Sequence, residues 1–141
     1  MCIPAKLSFS VYGSMPGGCH STVSIDGDAV VYESVFNNYG GNPVPDDVHV
    51  KRTPTTAQWN RFIDQLEAIG VWNWRSSYQD LNVLDGGGWS FEVVAGSRKI
   101  RSSGHNDYPG DDGKPAGSPS GSAAFSRLIA ALSELVGHTI R

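Results

Sequence analysis

The chain has 141 residues, of which 39 % are hydrophobic and only 18 % charged, with a formal net charge of −3. That length suits one domain, and the apolar content, four tryptophans included, is enough to close a core without disulfide or metal staples. The mild acidity argues against a general nucleic-acid binder, which carries a strongly basic surface, and no run approaches the ~20 apolar residues of a membrane-crossing helix.

The N-terminal stretch MCIPAKLSFSVYG lacks the apolar centre of a signal peptide, so a cytoplasmic protein is expected. Cys2, directly after the first methionine, supplies the alternative of a lipid-anchored or periplasmic protein whose leader was removed. Within that stretch KLSFSVY alternates, with Leu7, Phe9 and Val11 on one face and Lys6, Ser8 and Ser10 on the other, the signature of a half-buried strand. A hairpin turning at GSMPGG pairs residues whose numbers sum to about 31, which places Cys19 opposite Tyr12 and argues against a Cys2–Cys19 disulfide. Cys19-His20 has no second pair at zinc-ligand spacing, so both thiols are expected to be free.

Next, HSTVSI and AVVYESV flank Asp26-Gly27, a favoured two-residue hairpin turn. That turn sets Ile25 against Asp28 and Val23 against Val30, with Tyr32 on the same side. NNYGGNPVPDD reads as a loop, and VHVKR as a fourth strand with Val48 and Val50 inward and His49 and Lys51 outward. The first helix follows in TPTTAQWNRFIDQLEAIG. Thr55 and Gln58 form a capping box, Trp59, Phe62, Ile63 and Leu66 make one apolar stripe, and Gly70 closes the helix. In VWNWRSSYQDLNVLDGGG, Trp72 and Trp74 share a face if the segment is extended. The basic residues Lys51, Arg52, Arg98, Lys99 and Arg101 gather only if the fourth strand neighbours the last hairpin.

The most patterned stretch is DGGGWSFEVVAGSRKIRSSGHNDYP. Gly86-Gly87-Gly88 precedes a strand and lacks the lysine of a P-loop, and it fails the dinucleotide fingerprint for the same contextual reason. A hairpin turning at Gly96-Ser97 explains the stretch instead. It pairs Ala95 with Arg98, Val93 with Ile100, Phe91 with Ser102 and Glu92 with Arg101, so one register yields both an apolar face and a cross-strand charge pair. At its end, SGHNDYP has two readings. His105 with Asp107 is a candidate general base and its orienting carboxylate; alternatively the segment is a turn in which Asp107 caps and Tyr108-Pro109 anchors the exit. The turn is preferred. Asp107, Asp111 and Asp112 do not meet the spacing of a calcium loop, so no metal site is expected. Residues 109–121 read as a flexible Gly/Pro/Ser-rich loop, and Phe125, Leu128, Ile129, Leu132, Leu135 and Val136 mark a second helix ended by Gly137.

A helix with Trp59 and Phe62, then GVWNW, DGGGW, a hairpin, SGHNDYP and a helix opening with Phe125 resembles small bacterial domains of unknown function. In these a tryptophan, an Asp-Gly-x-x-Trp hairpin and a Ser-Gly-x-Asn-x-Tyr-Pro ending recur. The resemblance covers residues 55–136 and rests most on Ser103, Gly104, Asn106, Tyr108 and Pro109. It implies no activity or cofactor, and it favours the structural turn at Asn106 to Pro109.

The element order β-β-β-β-α-β-β-α predicts a single α+β domain over residues 1–141, a mostly antiparallel twisted sheet of about six strands with both helices on one face. Lys6, Ser8, Ser10, Glu92, Lys99 and Arg101 then line the opposite face. The expected function is a non-enzymatic binding or inhibitor-type module acting on another protein, with no cofactor and no nucleic-acid partner. Its candidate contacts are Trp72, Trp74, Tyr39, Tyr108 and Arg101. The competing expectation is a small hydrolase or transferase using His105 and Asp107.

Overall fold

The computed structural model describes residues 3–13, 19–36, 46–79, 87–105, 107–109 and 123–140. Among them the chain forms β1 (Lys6–Gly13), β2 (Cys19–Asp26), β3 (Ala29–Phe36), β4 (Val48–Arg52), α1 (Thr56–Ile69), β5 (Ser77–Gln79), β6 (Gly87–Ala95), β7 (Arg98–His105) and α2 (Ala123–Val136). One sheet collects all the described strands in the order β4-β3-β2-β1-β6-β7-β5. The fold is therefore α+β, as expected, but the sheet is mixed and has seven strands rather than about six. The additional strand, β5, lies parallel to β7, with Ser77 beside Ser103. Three residues between turn-rich segments carry no alternation to read, and the Ser103 N–H bond to the Ser76 carbonyl at 3.1 Å helps to seat the strand there.

The first strand is a central one. Its alternating side chains meet matching rows on both neighbours, Phe9 facing Val23 on β2 and Phe91 on β6. On this face Leu7, Phe9, Val23, Val30, Tyr32, Trp89, Phe91 and Val93 are buried, and the helices cover them with Trp59, Phe62, Leu66, Phe125, Leu128, Leu132 and Leu135. Burying each such side chain contributes about 1.5–3 kcal/mol. The Thr55–Gln58 capping box is present in both directions, and Gly70 closes α1 at φ 81, a backbone conformation costly for any residue with a Cβ.

The β6–β7 register agrees with the expectation pair by pair, from Ala95–Arg98 to Phe91–Ser102. Two other registers shift. Across β1 and β2, Tyr12 faces His20 rather than Cys19, because the expected register would have set Phe9 against Thr22 and mixed the two faces. Across β2 and β3 the turn is Gly27-Asp28, with Gly27 at φ 65, so Ile25 faces Val30 and Val23 faces Tyr32. The shift replaces an Ile–Asp pair with apolar pairs and leaves every residue on its expected face.

Three further expectations change with the topology. Trp72 lies in a 3-10 turn (Val71–Asn73) rather than an extended segment, so it parts from Trp74. Four strands lie between β4 and β7 in the sheet order, which rules out one cluster of Lys51, Arg52, Arg98, Lys99 and Arg101. Lys51 instead pairs with Asp26 at 3.0 Å, and Arg98 with Glu67. Glu92 meets Lys6 at 2.9 Å, not the Arg101 opposite it. Residues 110–121 of the expected loop lie outside the described residues, as do Cys2, Tyr39, Asn106, Asp111 and Asp112. No described helix is long and apolar enough to cross a membrane.

Candidate functional site: the open face of the sheet

Both helices pack on one side of the sheet, and the other side carries no described element. Strand alternation assigns Lys6, Ser8, Ser10 and Tyr12 to this open face from β1. Their lateral neighbours are Ser24, Thr22 and His20 on β2 and Glu92, Ser90 and Gly88 on β6. β7 adds Arg101, Ser103 and His105, opposite Glu92, Ser90 and Gly88.

The face has two adjoining parts. At one end a lateral row runs Val35, His20, Tyr12, Gly88, His105. Tyr12 lies across Gly88, where a Cβ would come within 2.5 Å of its hydroxyl, so only glycine lets the ring lie flat. The His20 ring meets Tyr12 edge-on at 6.4 Å. Tyr12 and Val35 nevertheless keep 43 % and 49 % of their surface exposed, and they are the large hydrophobics most open to solvent among the described residues.

Two residues along β6, about 7 Å away, a groove of about 450 Å³ opens beside Ser8, Ser76, Ser90, Glu92, Arg101 and Ser103. The Ser10 and Ser90 hydroxyls share a hydrogen bond of 2.7 Å at its rim. Ser102, on the far side of the backbone, is turned inward and donates to the Arg75 carbonyl at 2.5 Å. Glu92 is held by Lys6, while Arg101 is exposed and forms no ion pair among the described residues. Among the described residues the groove wall thus offers hydroxyls and one guanidinium without an ion pair, beside a carboxylate held by Lys6.

The residues expected to bind are dispersed. Arg101 is on the open face and Tyr39 lies outside the described residues. Trp74 and Tyr108 are core residues, 5 % and 6 % exposed, and their rings pack on the chain's own Trp89 and Phe125. Their area is already buried, which leaves none for a partner. Trp72 is half-buried at the helix side of the sheet. Its indole N–H donates to Glu67 at 3.1 Å, and the Arg98 guanidinium lies over its ring at 4.6 Å while pairing with the same carboxylate. That arrangement clips the β6–β7 hairpin tip to the end of α1.

His105 and Asp107, the candidate general base and its carboxylate, sit in different surroundings. His105 is exposed, whereas Asp107 is buried and accepts the Tyr108 N–H at 3.0 Å. The Asp107 carbonyl accepts the Trp89 indole N–H at 2.8 Å. These two bonds fasten Asp107 and Tyr108 to the core beside Trp89. Burial raises the phenol of Tyr108 above its ordinary value, with nearby Tyr12 adding to the effect. Burial also raises that of Tyr78, opposed by the Arg75 N–H that its oxygen accepts at 3.0 Å. Among the described residues no three His, Cys, Asp or Glu gather closely enough to hold a metal ion.

Sequence reasoning placed Ser8, Ser10 and Arg101 on the polar face but missed Tyr12 and Val35. The signal was present. Tyr12 follows Val11 in an alternating strand, and Val35 is one residue out of phase with Tyr32, so alternation alone sends both outward. No protein-family model matches the chain, and no curated protein matches it as a relative.

Proposed function

We propose that this protein is a binding or inhibitor-type module that docks another protein on the open face of its sheet. The observation that carries the reading is that Tyr12 and Val35, the two most exposed large hydrophobics among the described residues, lie in one lateral row on that face. Beside Tyr12 opens the polar groove with Arg101, which forms no ion pair among the described residues. Tyrosine and arginine are residue types enriched among the anchors of protein interfaces, and this face presents both. Trp72 belongs to the hairpin clip in this reading, and the contacts move to Tyr12, Val35 and Arg101.

The test is capture from an extract of the source cell, with quantitative comparison across variants. Wild type and the helix-side variant Arg127→Glu are expected to retain the same specific partner, while Tyr12→Ala and Thr22→Arg lose it. A partner indifferent to both face variants, or lost with Arg127→Glu instead, would overturn the reading.

A further inference from the structure

The groove has a donor excess that its own residues do not use. Arg101 contributes a planar fork of N–H donors, and its cross-strand neighbour Glu92 is engaged by Lys6 at 2.9 Å. Ser90 shares its hydrogen bond with Ser10 at 2.7 Å. If Ser10 donates, the Ser90 hydroxyl proton points to a guest, polarised by the bond behind it. Ser103, opposite Ser90, and Ser8, opposite Glu92, complete a wall rich in rotatable hydroxyls.

A guest that accepts hydrogen bonds, donates none and carries negative charge matches this wall best. A planar carboxylate meets the guanidinium with two parallel bonds and leaves lone pairs for the serines. The guest charge is limited to one. Among the described residues one cation without an ion pair, Arg101, lines the groove, and the Glu92 carboxylate on the same wall repels a doubly charged phosphate. The groove volume of about 450 Å³ has room for one side chain and its flanking backbone.

We infer that the groove receives an Asp or Glu side chain of the partner, with Arg101 as its charge partner and Ser90 and Ser103 as hydroxyl donors. This rests on the docking face proposed above and adds the chemistry of the residue that enters it. Arg101 is a recognition residue in this assignment, and Lys6 keeps Glu92 from occupying it.

The experiment is an amide and arginine side-chain NMR titration of the full chain with three capped amino acids: N-acetyl-glutamyl-N-methylamide, its glutaminyl counterpart and its phosphoseryl counterpart. The glutamyl compound is expected to give saturable shifts at Ser8, Ser90, Ser103 and the Arg101 Nε. The glutaminyl compound and the Arg101→Gln variant should each bind about tenfold more weakly, the scale of a charge-assisted hydrogen bond. Lys99→Gln, on the same strand, should stay within about twofold, because screening by solvent and salt blunts a charge outside the groove. Equal binding of the glutamyl and glutaminyl compounds, tighter binding of the phosphoseryl compound, or an unchanged Arg101→Gln would overturn the assignment. The failures separate cleanly. Partner capture lost with Thr22→Arg but unaltered by Arg101→Gln removes the carboxylate pocket and leaves the docking face. Glutamyl binding with capture indifferent to Thr22→Arg keeps the pocket and removes the face.

Discussion

The two faces of the sheet are built from the same strands in the same registers, yet they are governed by different physics. On the helix side, Trp89 packs against Trp74, Tyr78, Tyr108 and Phe125, and its indole N–H is bonded to the Asp107 carbonyl. One residue along, Ser90 looks the other way and touches Ser10 in a groove open to water. Adjacent positions of β6 thus differ in what they hold together. Residue 89 joins a strand, a turn and two other segments, whereas residue 90 joins one neighbour and is free to change. The covered face carries the stability, and the open face is where binding is proposed.

The sharpest test of that division is the pair Trp89→Ala and Ser90→Ala, compared by urea unfolding. Trp89→Ala is expected to cost about 3–5 kcal/mol, through lost burial and the cavity left behind. Ser90→Ala should fall within about 0.5 kcal/mol of wild type, as surface substitutions do. Comparable losses at the two positions would break the comparison.

Two glycines repeat the contrast on a smaller scale. A Cβ at Gly104 would collide with the Trp89 indole and the Asp107 carbonyl, neither of which has room to retreat. Gly104→Ala is therefore expected to cost about 1–3 kcal/mol. At Gly88 the obstacle is the Tyr12 ring, 2.5 Å away but 43 % exposed and able to swing into solvent. Gly88→Ala should cost less than about 1 kcal/mol in stability, while lifting the Tyr12 ring off the open face. Thermal unfolding of the two variants decides the order.

Alkaline pH probes the covered face. The phenols of Tyr78 and Tyr108 are raised by burial above the ordinary value of 10.0. Above that pH the unfolded chain ionises these tyrosines while the folded chain keeps them protonated. The folded state then binds more protons, and stability falls as pH rises from about 10 until the folded values are passed. The urea midpoint should decline over that window, and less steeply in Tyr108→Phe. An identical decline in the variant would remove Tyr108 from the account.

The smallest effect is expected at Lys6–Glu92, whose side chains are 59 % and 26 % exposed. Lys6→Ala should change stability by about 0–1 kcal/mol, and less in high salt. Its clearer consequence lies on the open face, where a released Glu92 becomes available to Arg101 and competes with a glutamyl guest. Tighter guest binding in Lys6→Ala would contradict the role given to Lys6.

Much of this molecule was legible where information is local. The alternation of Leu7, Phe9 and Val11, the Thr55–Gln58 box and the Gly96-Ser97 turn each act through neighbours in the chain, and each holds in the structure. The polar identity of the open face followed from the same alternation, so Arg101, Ser8 and Ser10 were placed correctly before any pairing was known. What local pattern left undecided was adjacency. Ser90 meets Ser10 only because β1 inserts between β2 and β6, an 80-residue separation that no period encodes. The fate of the aromatics was decided the same way. Trp74 and Tyr108 look like surface anchors in a loop-rich stretch, and they are buried because Trp89 and Phe125 arrive from distant segments to pack on them. The sequence by itself determined which face each strand residue takes, because alternation is a property of the backbone. Only the tertiary structure decided which residues share a groove, because strand order is settled by the summed fit of whole apolar rows rather than by any residue alone.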